Sequence, residues 1–262
     1  MTRIFITFIF IAWFATSDVF AQRGRPSDQP QVTSARLVEE NGVRIMRLPQ
    51  RNDPAGIKAR QIFEAAQHII NPPIEPFSFM QPTDDERKAW FQQAIDTFQT
   101  LLVFINPPNE AEIEASPETS PRAPFVPDAF VNAHYLLGKA WVYLNMMSFP
   151  DLYSSLEVAE FPKKAADYFE AFIQNGIAEN SVLVYSNLAN LYFSHLNDPR
   201  RAFINIDRCI ALEPRDPFNH ITRAQILQKE GYLEAACESL KEARRLGETE
   251  MTSNLMESWS CP

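Results

Sequence analysis

The stretch that decides the fold is NLANLYFSHLNDPRRAFINIDRCIALEP, which runs from Asn187 to Pro214. Small and large apolar residues recur in it at helical spacing, in two runs on either side of Asp198-Pro199. Asp198 suits the N-cap of the second run, and Pro199 suits its first helical position. The stretch therefore predicts two consecutive helices joined by a tight turn.

The same pattern returns once more toward the C-terminus. Three positions of the second helix recur 34 residues later: Ala202 at Ala236, Ile206 at Leu240, and Cys209 at Ala243. Small residues at such positions let two helix backbones approach, and large apolar residues fill the space to the next helix. One unit is unable to bury its own apolar face, so neighbouring units must stack. Helices are predicted at 181–196, 199–212, 217–230 and 233–246.

This pattern resembles the tetratricopeptide repeat (TPR). The family's first helix has a Leu–small pair followed by an aromatic residue, which Leu188, Ala189 and Tyr192 supply. Its second helix has a small, a large apolar and a small residue before a closing proline, supplied by Ala202, Ile206, Cys209 and Pro214. The last unit keeps Ala224, Gly231, Ala236, Leu240 and Ala243, but Arg223 stands where the family has leucine, and no proline closes the unit.

Two earlier units match less completely. Leu137, Gly138 and Trp141 resemble a first helix, and Ala166, Phe169 and Phe172 resemble a second helix, with an insertion at 145–161 between them. Ala94, Phe98, Leu101 and Pro107 resemble one more second helix, with 56–70 as its degenerate partner. The resemblance implies an all-α fold in which antiparallel helix-turn-helix repeats stack as a TPR-like right-handed α-solenoid.

Local signals set the expected domain boundaries. Asn41-Gly42 predicts a short N-terminal β-hairpin within 35–48, with Val38 opposite Ile45 and Glu39 opposite Arg44. Thr83 and Glu86 form a capping box, and Pro162 is expected in the first turn of a helix that Gly176 ends. The expected segments are a leader at 22–53, a degenerate helical repeat at 54–108, a Pro-rich acidic linker at 109–128, repeats at 129–246, and a C-terminal capping helix and tail at 247–262.

The first 21 residues have the pattern of a secretory signal peptide. Arg3 precedes an apolar run from Ile4 to Ala15, and Val19-Phe20-Ala21 suits a cleavage site. An uncleaved anchor is the alternative. The expected location is therefore periplasmic or secreted, in a bacterial cell envelope, with no stable membrane span after cleavage.

Composition and motifs exclude several kinds of function. A net charge of −9 and a pI near 5.0 argue against binding to nucleic acid. With 7 glycines, the chain has no phosphate-binding loop, and its four histidines have no metal-ligand spacing. His134 and His220 occupy equivalent places in their units, where packing between helices is expected. We predict no catalytic residues, no metal and no cofactor.

The three cysteines leave several redox states open. Cys209 stands at a small-residue position of the repeat, so a buried role is expected. In an oxidising compartment two of the three can pair. One candidate pair is Cys237 with Cys261, which would fix the tail to the last helix.

The remaining hypothesis is binding without catalysis. In the TPR family the first helices line a concave groove that holds a peptide or a partner helix. The candidate groove residues by position are Asn132, Tyr135, Lys139, Tyr143, Leu183, Ser186, Asn190, Phe193, Ser194, Phe218, Ile221, Gln225 and Lys229. The resemblance implies an adaptor or scaffold for a protein or peptide partner, and the signal-peptide pattern implies that it is exported.

Two alternatives remain open at this stage. One is a structural subunit of an envelope assembly that docks through its N-terminal extension and insertions. The other is an enzyme or glycan-binding protein with a site outside the repeats, near Phe77–Phe79 and Met146–Tyr153.

Overall fold

The computed structural model describes residues 36–40, 43–47, 51–70, 82–105, 128–176 and 180–262. The predicted signal peptide at 1–21 lies outside these ranges, as do Phe77–Phe79 and most of the leader. The predicted linker at 109–128 lies outside them except for Asp128.

Nine α-helices follow one β-hairpin in the part of the chain that the structure describes. The strands are β1 (Arg36–Glu40) and β2 (Val43–Arg47). The helices are α1 (Pro54–Ile70), α2 (Asp84–Gln99), α3 (Ala129–Met147), α4 (Ser155–Gln174), α5 (Val182–Asn190), α6 (Pro199–Leu212), α7 (Pro217–Lys229), α8 (Leu233–Arg245) and α9 (Glu250–Ser258). Short 3₁₀ helices cover Thr100–Phe104 and Pro150–Leu152, and a π-helical turn covers Leu191–His195.

The helices pack as sequential pairs, α1 with α2, α3 with α4, and α7 with α8. The predicted all-α class is therefore confirmed. The hairpin strands pair antiparallel with Val38 opposite Ile45 and Glu39 opposite Arg44, which is the register that the sequence predicts.

The chain divides into two compact units, Thr33–Asn205 and, among the described residues, Ile206–Pro262. The division falls inside α6, so the predicted repeat block at 129–246 spans both units. Within each unit the repeat positions form the core. Residues with at most 3% exposure include Leu137, Phe169, Ala189, Tyr192 and Ala202 in the larger unit, and Cys209, Ala224, Ala236, Leu240 and Ala243 in the C-terminal unit.

The predicted helix caps are present. The Thr83 hydroxyl accepts from the Glu86 amide, and the Glu86 carboxylate accepts from the Thr83 amide at 2.8 Å. Asp198 accepts from the Arg201 amide at 3.0 Å, and Asp216 accepts from the Phe218 amide at 3.0 Å. These side chains satisfy amides at helix starts that have no partner within the helix.

The prediction for Pro162 is wrong. Helix α4 begins at Ser155, so Pro162 lies in the helix interior, where it is buried. The reason is a second capping box, in which the Ser154 amide donates to the Glu157 carboxylate at 2.9 Å. Pro162 has no amide hydrogen to donate to the preceding turn, and its ring is buried in the core.

The predicted helix at 181–196 is divided in two. Helix α5 ends at Asn190, and a π-helical turn follows in which the Leu196 amide donates to the Leu191 carbonyl at 2.9 Å. Asn197 then adopts a φ of 51°, a left-handed conformation that asparagine tolerates. Tyr192 within the turn is buried, and its hydroxyl contacts Glu170 and accepts from the Arg201 guanidinium at 3.0 Å.

A disulfide joins Cys237 to Cys261, with their Cα atoms 5.5 Å apart, and it fixes the tail to α8. Cys209 is a buried free thiol, as its repeat position predicts. Within α9 the fully buried residue is Thr252, whereas Met251 is 36% exposed.

Candidate partner-binding surface

Helix α3 carries four of the predicted groove residues at intervals of three or four: Asn132, Tyr135, Lys139 and Tyr143. This spacing places them along one face. The helix starts where the Asp128 carboxylate caps the amides of Phe130 and Val131. This cap fixes where α3 begins. The face that carries the four residues lies against α4.

Three tyrosines from α3 and α4, namely Tyr135, Tyr143 and Tyr168, form what we call the tyrosine cluster. The rings of Tyr143 and Tyr168 stack with centroids 5.9 Å apart and 13° between their planes. Tyr135 meets Tyr168 edge-on at 6.2 Å. All three are partly exposed. They form a fixed aromatic surface that extends to Phe161, 6.0 Å from Tyr143.

Two lysines flank the tyrosine cluster. The Lys139 ammonium lies 5.8 Å from the Tyr143 ring and 5.9 Å from the Tyr168 ring, and the residue is 4% exposed. The prediction that Lys139 is an open groove residue is therefore wrong, because the tyrosine rings cover it. The Lys164 ammonium lies 5.8 Å from the Tyr143 ring and 2.7 Å from Glu160.

Burial keeps the hydroxyl groups of Tyr135 and Tyr168 protonated. Burial raises the pKa of Tyr135 to about 12, and burial also raises the pKa of Tyr168. Burial lowers the pKa of Lys139. The surface therefore offers aromatic faces, neutral hydroxyl groups that donate and accept hydrogen bonds, and nearby cations.

Asn132 has a structural role and is not an open groove residue. Its side-chain amide donates to the Asn175 side-chain oxygen at 2.9 Å, and Asn175 donates to the Ala129 carbonyl at 2.6 Å. These bonds join the start of α3 to the end of α4 and hold the pair that carries the tyrosine cluster.

The predicted residues near α5 lie in the same unit as α3. The Ser186 hydroxyl donates to the Leu183 carbonyl at 3.0 Å, within its own helix. Asn190 and Phe193 are partly exposed, and Ser194 is exposed.

The predicted residues of α7 belong to the C-terminal unit. Phe218 and Gln225 are partly exposed, and Lys229 is exposed. Ile221 is 1% exposed and belongs to the core of this unit, so its assignment to the groove is wrong. The reason is rotational position, because Ile221 lies one turn before Ala224, on the face that packs against the neighbouring helix.

Sequence reasoning missed Tyr168 and Lys164. Both lie on α4, a second helix, and only first helices were expected to line a groove. The signal in the sequence is the spacing Lys164-x₃-Tyr168, which places both side chains on one face of α4.

The histidines have different roles. His134 is 2% exposed, its Nδ1 lies 2.8 Å from the Phe130 carbonyl, and its ring meets Phe63 edge-on at 5.4 Å. Burial lowers its pKa to about 4. The packing prediction is confirmed for His134 but not for His220, which is partly exposed at an open depression.

The larger unit also has a small depression of about 300 Å³ beside the insertion. It is lined by Asp85, Lys88, Ala89, Phe91, Gln92, Ile95, Met146, Tyr153 and Glu157. Across the described ranges, no group of three or more His, Cys, Asp or Glu side chains is placed to hold a metal ion. No helix in those same ranges is long and apolar enough to cross a membrane.

Comparison with known proteins finds a similar fold and no related curated sequence. No family model matches the chain, and no curated protein matches it. Among solved structures, the chain is similar to the crystal structure of MamA, with 15% sequence identity and a TM-score of 0.40. That similarity covers 64% of this chain and 77% of the MamA chain.

Proposed function

We propose that this protein is a non-catalytic adaptor that binds a protein or peptide partner at the tyrosine cluster of α3 and α4. The observation that carries the proposal is the arrangement of Tyr135, Tyr143 and Tyr168, three partly exposed rings held in mutual contact. Tyrosine is enriched where proteins bind one another, because it combines apolar area with a hydrogen-bonding group.

Rigidity of the tyrosine cluster favours binding. Tyr143 stacks on Tyr168 at 5.9 Å, and Lys139 packs beneath both rings. A side chain that is already ordered loses little rotamer entropy when a partner covers it. An extended segment that lies across these rings would bury apolar area and form hydrogen bonds to the hydroxyl groups.

We place this function outside the cytoplasm, in a bacterial periplasm or after secretion. The apolar segment Ile4–Ala15 and the Val19-Phe20-Ala21 site support export. The Cys237–Cys261 disulfide also supports it, since such bonds persist in oxidising compartments.

The proposal is tested by recovery of partners from the envelope fraction of producing cells. The test variant is Tyr143→Ala/Tyr168→Ala, and the control is Tyr232→Ala, which removes a 63% exposed tyrosine outside the cluster. We expect the test variant to lose the partner that the wild type and the control recover. A folded test variant that recovers the same partner in the same amount would exclude the tyrosine cluster as the binding surface.

A second candidate function is a structural subunit of an envelope assembly. Leu156 favours it, because this residue of the predicted insertion is 80% exposed in the first turn of α4. Deletion of residues 22–50, and separately Leu156→Gln, distinguishes the two functions. Loss of the assembly with unchanged binding at the tyrosine cluster would favour the subunit.

A further inference from the structure

The C-terminal unit has an open depression of about 650 Å³ between α6, α7 and α8. None of its residues belongs to the tyrosine cluster. Its lining consists of Asp207, Ile210, Ala211, His220, Arg223, Ala235, Glu238, Ser239 and Glu242. The depression therefore combines an apolar part, formed by Ile210, Ala211 and Ala235, with charged groups from all three helices.

Arg223 fixes the geometry of this depression. Its Nε donates to Asp207 Oδ1 on α6 at 2.9 Å, and its Nη1 donates to Ser239 Oγ on α8 at 3.1 Å. One side chain of α7 thus holds both neighbouring helices. This explains the departure from the repeat pattern at position 223, where a leucine would leave Asp207 and Ser239 without this donor.

The charge of the lining is negative. Asp207, Glu238 and Glu242 contribute three carboxylates, and Arg223 contributes one guanidinium that is already bound to Asp207. Glu238 and Glu242 lie one turn apart on α8, on the same face. Their ion-pair partners, Lys241 and Arg245, lie on the same helix outside the lining.

These two ion pairs do not prevent a further cation from binding. Glu238 is 67% and Glu242 is 36% exposed at the side chain, and exposed pairs of this kind are weak and exchangeable. The remaining titratable group that lines the depression is His220.

We propose that this depression is a docking site for a lysine- or arginine-bearing segment of a partner protein. The aliphatic stem of such a side chain packs on Ile210, Ala211 and Ala235, and its cationic end reaches the Glu238 and Glu242 carboxylates. The site is distinct from the tyrosine cluster, so the proposal does not depend on the function proposed above.

The test is titration of the full chain at pH 7.5 and low salt with an acetylated, amidated tetralysine peptide. Glu238→Gln/Glu242→Gln is expected to weaken binding about tenfold, because a charged hydrogen-bond partner is lost. Glu230→Gln/Glu234→Gln removes the same charge from exposed positions outside the lining and is expected to leave the affinity within about twofold. A third variant, Ala235→Trp, fills the depression without changing the charge and is expected to abolish binding.

Two results would overturn the proposal. The first is no tetralysine binding to the wild type. The second is an equal loss in both charge variants with no effect of Ala235→Trp, which would mean that the peptide is attracted only by the net negative charge of the chain.

Discussion

At the scale of single residues, Gly138 of α3 packs directly against the Phe98 side chain of α2. A Cβ atom at this position would lie 2.3 Å from the ring of Phe98, which is 1% exposed. The ring is buried in the core, so a shift of the ring would disturb its other neighbours. The sequence singles out Gly138 as a small residue of the repeat, and the structure identifies Phe98 of α2 as the side chain that requires it.

We therefore expect Gly138→Ala to destabilise the protein. Overpacking costs roughly 1–3 kcal/mol, which offsets the gain of about 1 kcal/mol that alanine brings within a helix. The free energy of unfolding in urea measures the net effect, and the double variant Gly138→Ala/Phe98→Leu should recover part of the loss. A Gly138→Ala variant that is more stable than the wild type would contradict this account.

Residue pairs far apart in the chain are the part of the structure that the sequence does not predict. Arg51 donates to Asp128 through Nη1 at 2.8 Å, although 77 positions separate the two residues. It also lies over the Phe130 ring at 4.9 Å. Arginine and aspartate are both common in polar segments of a chain. No local sequence pattern therefore indicates that Arg51 and Asp128 meet. The stacking of Tyr143 on Tyr168 is a second case.

At the scale of elements, a covalent bond joins the segment after α9 to α8. The Cys237–Cys261 disulfide closes a loop with a sequence separation of 24 and joins the tail to α8. Chain entropy predicts a stabilisation of about 3 kcal/mol from a loop of this length.

Cys237→Ser/Cys261→Ser should therefore lower the free energy of unfolding by about 3 kcal/mol and speed amide exchange in residues 250–258. Wild type in excess reductant is the control, and it should show the same exchange as the variant. Unchanged exchange in α9 would mean that packing against α8 alone positions this helix.

Helix boundaries were predictable where capping signals stand alone. The bounds of α6, α7 and α8 lie within one residue of those predicted, because Asp198 and Asp216 cap two of these helices and Gly231 and Gly247 follow two of them. The start of α4 was mispredicted, because Pro162 is a strong start signal and Ser154 with Glu157 forms a second one. The structure follows the earlier signal.

At the scale of the whole molecule, the buried His134 links folding to pH. Burial lowers its pKa to about 4, from an ordinary value of 6.5. Between these values the unfolded chain binds a proton that the folded protein does not bind. The stabilisation is therefore fully present above about pH 6.5 and is lost as the pH falls toward 4, by roughly 3 kcal/mol in total.

Unfolding in urea at pH 7 and at pH 4.5 measures this loss for the wild type and for His134→Gln. Carboxylates that lose their charge over the same range contribute to both proteins, so the difference between the two pH dependences isolates His134. An identical pH dependence would show that His134 is not responsible.

Sequence periodicity predicted one part of this structure and did not predict another. The repeat pattern predicted the paired helices and the buried state of its own small and large apolar positions, because burial follows helical position. It did not predict which exposed residues meet. Lys139 and Ile221 have the position of groove residues, but both are buried. Tyr168, from a second helix that was not expected to line the groove, completes the tyrosine cluster.

The measurement that tests the central claim most directly is site-specific photocrosslinking in the producing cells. A photoreactive phenylalanine analogue replaces Tyr143 or Tyr168 in the tyrosine cluster, and Tyr232 as the exposed control. The account predicts an adduct with one and the same partner from positions 143 and 168, and none with that partner from position 232. Adducts from position 232 alone, or none from either cluster position, would contradict it.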